Sequence, residues 1–463
     1  MMEEIEVLIL GAGLAGLSTS LHLGHDRCVI VESKAHAFGH ISSYQMGGFT
    51  WDEGPHVSFT KHPYIRKLFE QSVGGEYLEF PVKTTNFYQG SKVDHPAQSN
   101  LYQVPEALRK QCVDDFLASR KAGSNETKPH NYAEWLYRAF GRTFADTFPR
   151  AYTKKYWTTE PENLTVDWVG GRVFYPAIDH VVNGASGPLA EQTHYIKKIR
   201  YPKYGGYQSY GEILAKGADI RLNSKVSAIN LETRVVTTES GQSFRYQQLV
   251  NTIPLPIFVN LCQQSSPAAK AAAEQLCCSE SLLVNVTIDH PTAHPEHWFY
   301  VYDEDLLSTR INCTEQLSPN NAPTGSSGIQ VEVYASKYRP FPNTFDAIGA
   351  QVVEELKQLG FIDISRSKVG PRHHVQYVPF ANIVFDHQRE GSLEIIYSEL
   401  EDYELIREQD ALEPTTDWEQ STAEAVPKSY PGAIHLAGRF GQWKYFWSDD
   451  CVMRGKQLKS RIN

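Results

Sequence analysis

An α/β fold is predicted for this chain, and three observations predict it. Residues 7–32 read as strand, glycine turn, helix and strand in immediate succession. Short apolar runs at 248–252 and 433–437 look like strands that return to this unit from far along the chain. Between them, residues 280–400 are dominated by strand-like runs. With 463 residues the chain is long enough for two or three domains and an ample core.

Taken in order, the run Val7-Leu8-Ile9-Leu10 is apolar throughout, as a parallel strand covered on both faces should be. The turn Gly11-Ala12-Gly13-Leu14-Ala15-Gly16 follows, then a helix with Leu17, Leu21 and Leu23 on its apolar side. Residues 28–31 are the second strand, which ends in Glu32. Residues 39–57 are rich in glycine and polar residues and read as an extended loop. Helical spacing at 105–121 and 131–147 makes residues 58–210 a mostly helical insertion. Strand signals resume at 219–229, 234–238 and 243–246. Further strands are expected at 282–288, 298–302, 329–334 and 393–397, with one helix near 346–359 and a loop at 318–328. The last strand, 433–437, runs into Gly438-Arg439-Phe440-Gly441, and a final helix starts near Asp449. The domain reading is therefore 1–57, 211–280 and 430–463 as one folding unit, 58–210 as the helical insertion and 281–429 as a sheet-based domain.

The opening unit has the parts of a dinucleotide site. Gly11 permits the tight turn, Gly13 lets the backbone approach a pyrophosphate, and Gly16 lets helix and strand pack closely. The helix N-terminus, with Ala15 in its first turn, directs unpaired N–H groups at the phosphates. Glu32, followed by Ser33, stands where a carboxylate can accept from both ribose hydroxyls. An NAD enzyme usually continues as a regular alternation of strands and helices. This chain instead runs into Gly39-His40-Ile41-Ser42-Ser43 and is closed by the distant strand before Gly438-Arg439. Such closure is the habit of large flavoproteins, so FAD is the expected cofactor. The fold class is then an FAD-binding Rossmann-type (glutathione-reductase-like) domain with a helical insertion and a mixed-sheet substrate domain.

Composition narrows the partners. A net charge of −10 argues against nucleic acid. Seven scattered cysteines, with no CxxC and no metal-like Cys/His spacing, suit a reducing compartment and predict no metal site. The acidic start Met-Met-Glu-Glu-Ile-Glu does not read as a signal peptide, and no apolar run is long enough to span a membrane, so a cytoplasmic protein is expected.

Four segments carry a resemblance. They are Gly54-Pro55-His56-Val57-Ser58-Phe59; Trp157 with Asp167-Trp168-Val169-Gly170-Gly171-Arg172-Val173; Thr309-Arg310-Ile311 with Ser318-Pro319; and Gly438-Arg439-Phe440-Gly441-Gln442-Trp443-Lys444-Tyr445. The chain resembles the flavin-containing amine oxidase and protoporphyrinogen oxidase superfamily, and within it these segments resemble UDP-galactopyranose mutases. The resemblance implies ring isomerisation of a nucleotide sugar between pyranose and furanose forms. In that chemistry N5 of the reduced flavin is the nucleophile and forms a sugar adduct, with His56 and Arg439 beside the flavin. It also implies that Arg172, Arg310 and Tyr445 grip the diphosphate and that Trp157 and Trp443 are substrate-side rings, although core packing is the safer reading for each tryptophan. Further cofactor contacts are implied at Val226 and at Asp449 and Asp450, ahead of the last helix. An unidentified reductant of the flavin is the implied partner.

The pattern is not complete. Where such mutases carry a second diphosphate-binding tyrosine, this chain has Asn382 in Val378-Pro379-Phe380-Ala381-Asn382, and the stretch after Tyr445 is shorter. The alternative is an oxidase or dehydrogenase of the amine oxidase kind, which takes hydride from a C–N or C–C bond.

Overall fold

The computed structural model describes residues 2–121, 128–170, 173, 175–189, 196–407 and 433–462. Two seven-stranded mixed sheets organise it. In the first, Met2–Leu10 lies between Cys28–Val31 and Ser243–Asn251, parallel to both. Asp219–Arg221 flanks Cys28–Val31, and Ile434–Leu436 flanks the end of Ser243–Asn251, again in parallel. Val7 to Leu10 are all buried, which their apolar run requires. The first half of Ser243–Asn251 instead pairs antiparallel with Val235–Thr238, which pairs with Val226–Asn230.

Two helices cover one face of this sheet, against Val7, Ile9, Cys28 and Ile30. Leu14–Leu23 and the final helix, Ser448–Leu458, pack so closely that a Cβ on Gly455 would lie 2.6 Å from the Thr19 nitrogen. The Ser18 hydroxyl donates to the Val452 carbonyl at 2.6 Å across the same contact. The far end of the sequence is thereby fixed beside the glycine turn.

The second sheet runs Arg372–Ile383, Cys278–Ile288, Ser327–Ala335, Arg310–Cys313, Trp298–Val301, Thr84–Tyr88, Ser91–Asp94. Its outer face packs against Ile348, Val352 and Leu356 of the helix Phe345–Gln358. The strands at 84–94 come from within 58–210, as does the antiparallel pair Tyr77–Pro81 and Lys198–Pro202. Sequence reading did not pick them out, because Thr84 to Phe87 are buried in succession and show no alternation.

Three local expectations change. The run 393–397 is not a strand but part of the helix Arg389–Glu401, whose buried Ser392, Leu393, Ile396 and Leu400 follow helical spacing. The loop expected at 39–57 contains the hairpin Ser43–Met46 and Phe49–Asp52, turned by Gly47 and Gly48, both at positive φ. The helix expected over 131–147 breaks at Gly141, at φ 76°, where any side chain would strike the backbone of Asp115 and Phe116 at 2.6 Å.

Candidate active site

One cavity of about 810 Å³ runs from the glycine turn to the inner face of the second sheet. At its first end the turn is built for a close ligand. A Cβ on Gly16 would sit 2.1 Å from the Gly11 carbonyl oxygen, and Gly11 itself is at φ 99°. Gly13 caps the helix Leu14–Leu23 without a side-chain bond, so the first N–H groups remain available to an anion. Gly39 crosses over this turn, with its own Cβ position 3.0 Å from the Gly13 Cα. Glu32 accepts from the Ala12 and Lys34 amides at 2.8 Å and from the Ser33 hydroxyl at 3.1 Å. Its Oε2 takes only the Ala12 amide among these and keeps capacity for a ligand hydroxyl.

Further along, Glu53 collects His40 (Nδ1 to Oε1, 2.6 Å) and Lys34 (3.5 Å). Burial pushes the Glu53 carboxyl up, but the His40 contact and the nearby cations bring it net below its ordinary value. His56 lies beside Tyr207, with ring centroids 5.4 Å apart and planes tilted by 31°, and its Nδ1 lies 2.9 Å from the Gly54 carbonyl oxygen. That carbonyl can only accept, so Nδ1 carries the proton and Nε2 is an acceptor. Burial, then the charges of Arg439 and Arg310, lower His56 to about 4, and it is neutral at pH 7. A neutral ring with this tautomer accepts a bond through Nε2 rather than donating one.

Arg439 donates from Nε to the Phe446 carbonyl at 2.7 Å and from Nη1 to the Ala381 carbonyl at 3.3 Å. Among the described residues no carboxylate lies within ion-pair distance of it. Its guanidinium carbon is 5.9 Å from the centre of the Tyr445 ring. The motif's other members diverge. Tyr445 enters the cavity wall against Trp157, at 5.7 Å. Trp443, at φ 52°, is 1% exposed, packs on Phe440 and gives its carbonyl to Arg389. Its ring is core and not part of the cavity wall, which corrects its expected place at the substrate.

The opposite wall is a cross-strand row. Tyr300 pairs with Arg310, and Arg310 pairs with Glu332, on adjacent antiparallel strands. Glu332 binds the guanidinium with both oxygens, through Nε and through Nη2 at 2.8 Å, and accepts the Tyr334 hydroxyl at 2.7 Å. Burial opposes the charge on Arg310, but Glu332 raises it well above its ordinary value. Asn382 accepts the Tyr156 hydroxyl at 3.1 Å. Burial holds Tyr156 and Tyr334 far above their usual range, so these phenols are neutral donors. Trp157, Trp168 and Phe148 add aromatic rings to the same wall.

The cavity wall thus brings together Gly11, Gly13, Ala15, Glu32, Ser33, Gly39, His40, His56, Trp157, Arg310, Asn382, Gly438, Arg439, Tyr445 and Asp449. Gly16 lies beneath the turn. Asp450 is turned inward, and its carboxylate accepts the Trp447 amide at 2.8 Å to cap the last helix. Val226 is outside the wall, two residues past Ser224, whose amide donates to the Glu32 carbonyl. Arg172 lies outside the described residues. Glu332, Tyr300, Tyr334 and Tyr156 went unnoticed in sequence. The available signal was the spacing Gln330, Glu332, Tyr334, which sets polar groups at every second position of a wholly buried strand. Among the described residues no group of three or more His, Cys, Asp or Glu is arranged to hold a metal ion. No described helix is long and apolar enough to cross a membrane.

Comparison with known proteins agrees with this frame. A chloroplastic protoporphyrinogen oxidase of Nicotiana tabacum is 19% identical over 372 residues, 73% of this chain and 65% of that protein. A 15-cis-phytoene desaturase of Solanum lycopersicum is 22% identical over 357 residues, 69% of this chain and 59% of the other. The chain thus spans just under two thirds of the tobacco enzyme's length. Among solved structures, a reduced UDP-galactopyranose mutase superposes with a TM-score of 0.83 at 22% identity, covering 98% of this chain and 94% of that one. At such identity the likeness speaks for the fold. The sequence profile of the flavin containing amine oxidoreductases matches residues 14–456. With the glycine cradle and Glu32 fitted to FAD, the chain belongs to the flavin containing amine oxidoreductase family.

Proposed function

We propose that this protein is an FAD-dependent mutase that isomerises a nucleotide-activated sugar between ring forms. The observation that carries the reading is the pair of guanidinium groups, Arg310 and Arg439, opening on one cavity with the phenols of Tyr156, Tyr300, Tyr334 and Tyr445. Glu332 offsets the charge of Arg310, and the remaining guanidinium excess in a chain of net charge −10 favours an anionic ligand. A diphosphate fits, because guanidinium groups bind phosphate oxygens in pairs and phenols add neutral donors.

In this reading Gly11, Gly13, Gly39 and Glu32 hold the dinucleotide part of FAD, and the reduced flavin supplies the nucleophilic chemistry. The chain's own residues bind and orient. Arg310, braced by Glu332, holds the diphosphate before and after the bond to the sugar breaks. Arg439 balances the departing negative charge from the other side. Neutral His56 offers Nε2 as an acceptor for an N–H or O–H at the cofactor's face. The aromatic rings of the cavity wall exclude water from the reacting group.

The test is to incubate the dithionite-reduced holoprotein with UDP- and dTDP-sugars and separate pyranose from furanose products. Conversion by the reduced protein, and none by the oxidised one, is expected. Absence of conversion with every sugar nucleotide sinks the reading. The second reading, an oxidoreductase, is favoured by the aromatic rings of the cavity wall, which would suit an apolar substrate. Bleaching of the oxidised flavin by an amine or polyene in air-free buffer would support it.

A further inference from the structure

The helix Pro149–Tyr156 contributes Tyr152, Thr153 and Tyr156 to the cavity wall and leads into Trp157. Lys155 on this helix points away from the cavity and is 2% exposed. Among the described residues no carboxylate lies within ion-pair distance of it. Its Nζ donates instead to two carbonyls, Asp303 and Ser308, each at 2.7 Å. These carbonyls bracket the loop between the strands Trp298–Val301 and Arg310–Cys313, whose flanking residues Tyr302 and Arg310 both stand in the cavity wall.

The same loop is held from the other side. Glu355, on the helix Phe345–Gln358 and 4% exposed, accepts the Leu307 amide at 2.8 Å, the Ser308 amide at 2.9 Å and the Ser308 hydroxyl at 2.6 Å. Two buried side chains of opposite charge therefore grip one loop without touching each other. Burying an ammonium group this way carries a desolvation cost. An apolar side chain of similar volume would serve stability as well or better. What the lysine adds is a directed, charge-assisted hold on the segment that ends at Arg310.

We propose that Lys155 is a positioning residue for Arg310: through the Asp303 and Ser308 carbonyls it locks the tyrosine-bearing helix to the arginine-bearing strand, so that both walls meet a diphosphate in one fixed geometry. The proposal rests on the reading of Arg310 as a diphosphate ligand. The charged groups around Lys155 are Glu355, Asp303, Asp305 and Arg339. Burial, only partly offset by Glu355, brings the Lys155 ammonium down to about 7. The hold is charge-assisted below that value and weaker above it.

The test uses the holoprotein and Lys155→Met. UDP-galactose affinity is measured on either side of about pH 7, together with FAD content and hydrogen exchange at the Leu307 and Ser308 amides. Lys155→Met is expected to bind UDP-galactose about tenfold more weakly, which is the loss of one charge-assisted contact. FAD content stays at the wild-type level and both amides exchange faster. Wild-type affinity falls as pH rises through Lys155's range, while the variant's stays flat. Wild-type affinity and a wild-type pH profile in Lys155→Met would overturn the proposal, as would parallel loss of FAD. Should Lys155→Met not fold, Ser308→Ala, which removes only the hydroxyl bond to Glu355, is expected to weaken UDP-galactose in the same direction, and unchanged binding there overturns the proposal. If the wild type does not bind UDP-galactose at all, the nucleotide reading fails. The exchange rates then decide the Lys155 lock by themselves, and unchanged protection overturns it.

Discussion

Arg310 and Glu332 stand opposite one another on neighbouring antiparallel strands, and both oxygens of the carboxylate hold the guanidinium. The glycine of the His56 loop closes over the pair, since a Cβ on Gly54 would lie 3.4 Å from the Glu332 Oε1. The cation is thereby aimed before any ligand arrives, and its rotamer is set by a partner that is itself buried.

Glu332→Gln should expose the cost of that arrangement. The guanidinium would keep its charge and lose its counter-ion, with an expected loss of about 3 kcal/mol, the low end for a broken buried pair because Arg310 also faces the cavity. A nucleoside diphosphate should restore part of this by replacing the carboxylate. Urea denaturation with and without UDP checks it. The midpoint gain on adding UDP should be larger in Glu332→Gln than in the wild type and absent in Arg310→Ala.

Gly16→Ala tests the cradle. Its new Cβ would meet the Gly11 carbonyl oxygen at 2.1 Å, a backbone atom that cannot step aside without opening the turn. The variant is expected to purify without flavin absorbance and to melt at the temperature of apoprotein. Retention of stoichiometric FAD would mean that the turn yields more readily than this packing allows.

These two sites differ in how visible they are in sequence, and the reason is physical. The glycine turn is local: three glycines and Glu32 lie within one strand–helix–strand unit, and each is required by backbone geometry that only neighbouring residues determine. The return of residues 248–251 and 434–436 to the first sheet was legible because buried parallel strands tend to be short apolar runs. Glu332 is different. It meets Arg310 only through strand register, which a sequence does not display, and a glutamate in a buried run reads as an interruption. Trp443 misleads for the opposite reason. It sits inside a recognisable motif, yet the positive φ there turns its ring into the core while Arg439 and Tyr445 turn to the cavity. The run 393–397 suggested a strand, but its buried residues Leu393 and Ile396, with Leu400, recur at helical spacing.

Acid should destabilise the protein through its buried histidines. Burial lowers His56 and His297 to about 4 and His435 to about 3, against 6.5 for a free imidazole. Below pH 6.5 the unfolded chain binds these protons and the native chain refuses them. Stability from the three groups is therefore complete above 6.5 and is lost as pH falls toward 4, by up to about 1.4 kcal/mol per pH unit for each. Urea midpoints across this window should slope accordingly, and His297→Gln should remove one proton's worth of slope. A flat profile would contradict the burial of these rings.

Asn382, read in the sequence as replacing a diphosphate-binding tyrosine, is in the cavity wall, and its Oδ1 accepts the hydroxyl of the protein's own Tyr156. Two consequences separate a structural acceptor from a substrate contact. Asn382→Ala would strand the buried Tyr156 hydroxyl, at about 1–3 kcal/mol. Because the diphosphate contacts proposed for Arg310, Arg439 and Tyr445 remain, its effect on UDP affinity should be much smaller than that of Arg310→Ala. Asn382→Tyr must fit a ring into a position that is 5% exposed, and overpacking should lower stability by about 1–3 kcal/mol without improving affinity. Thermal melts paired with UDP titrations of both variants decide the matter. Tighter UDP binding in Asn382→Tyr would show that the cavity still has room for the tyrosine it lacks, and that Asn382 is a specificity position rather than an anchor for Tyr156.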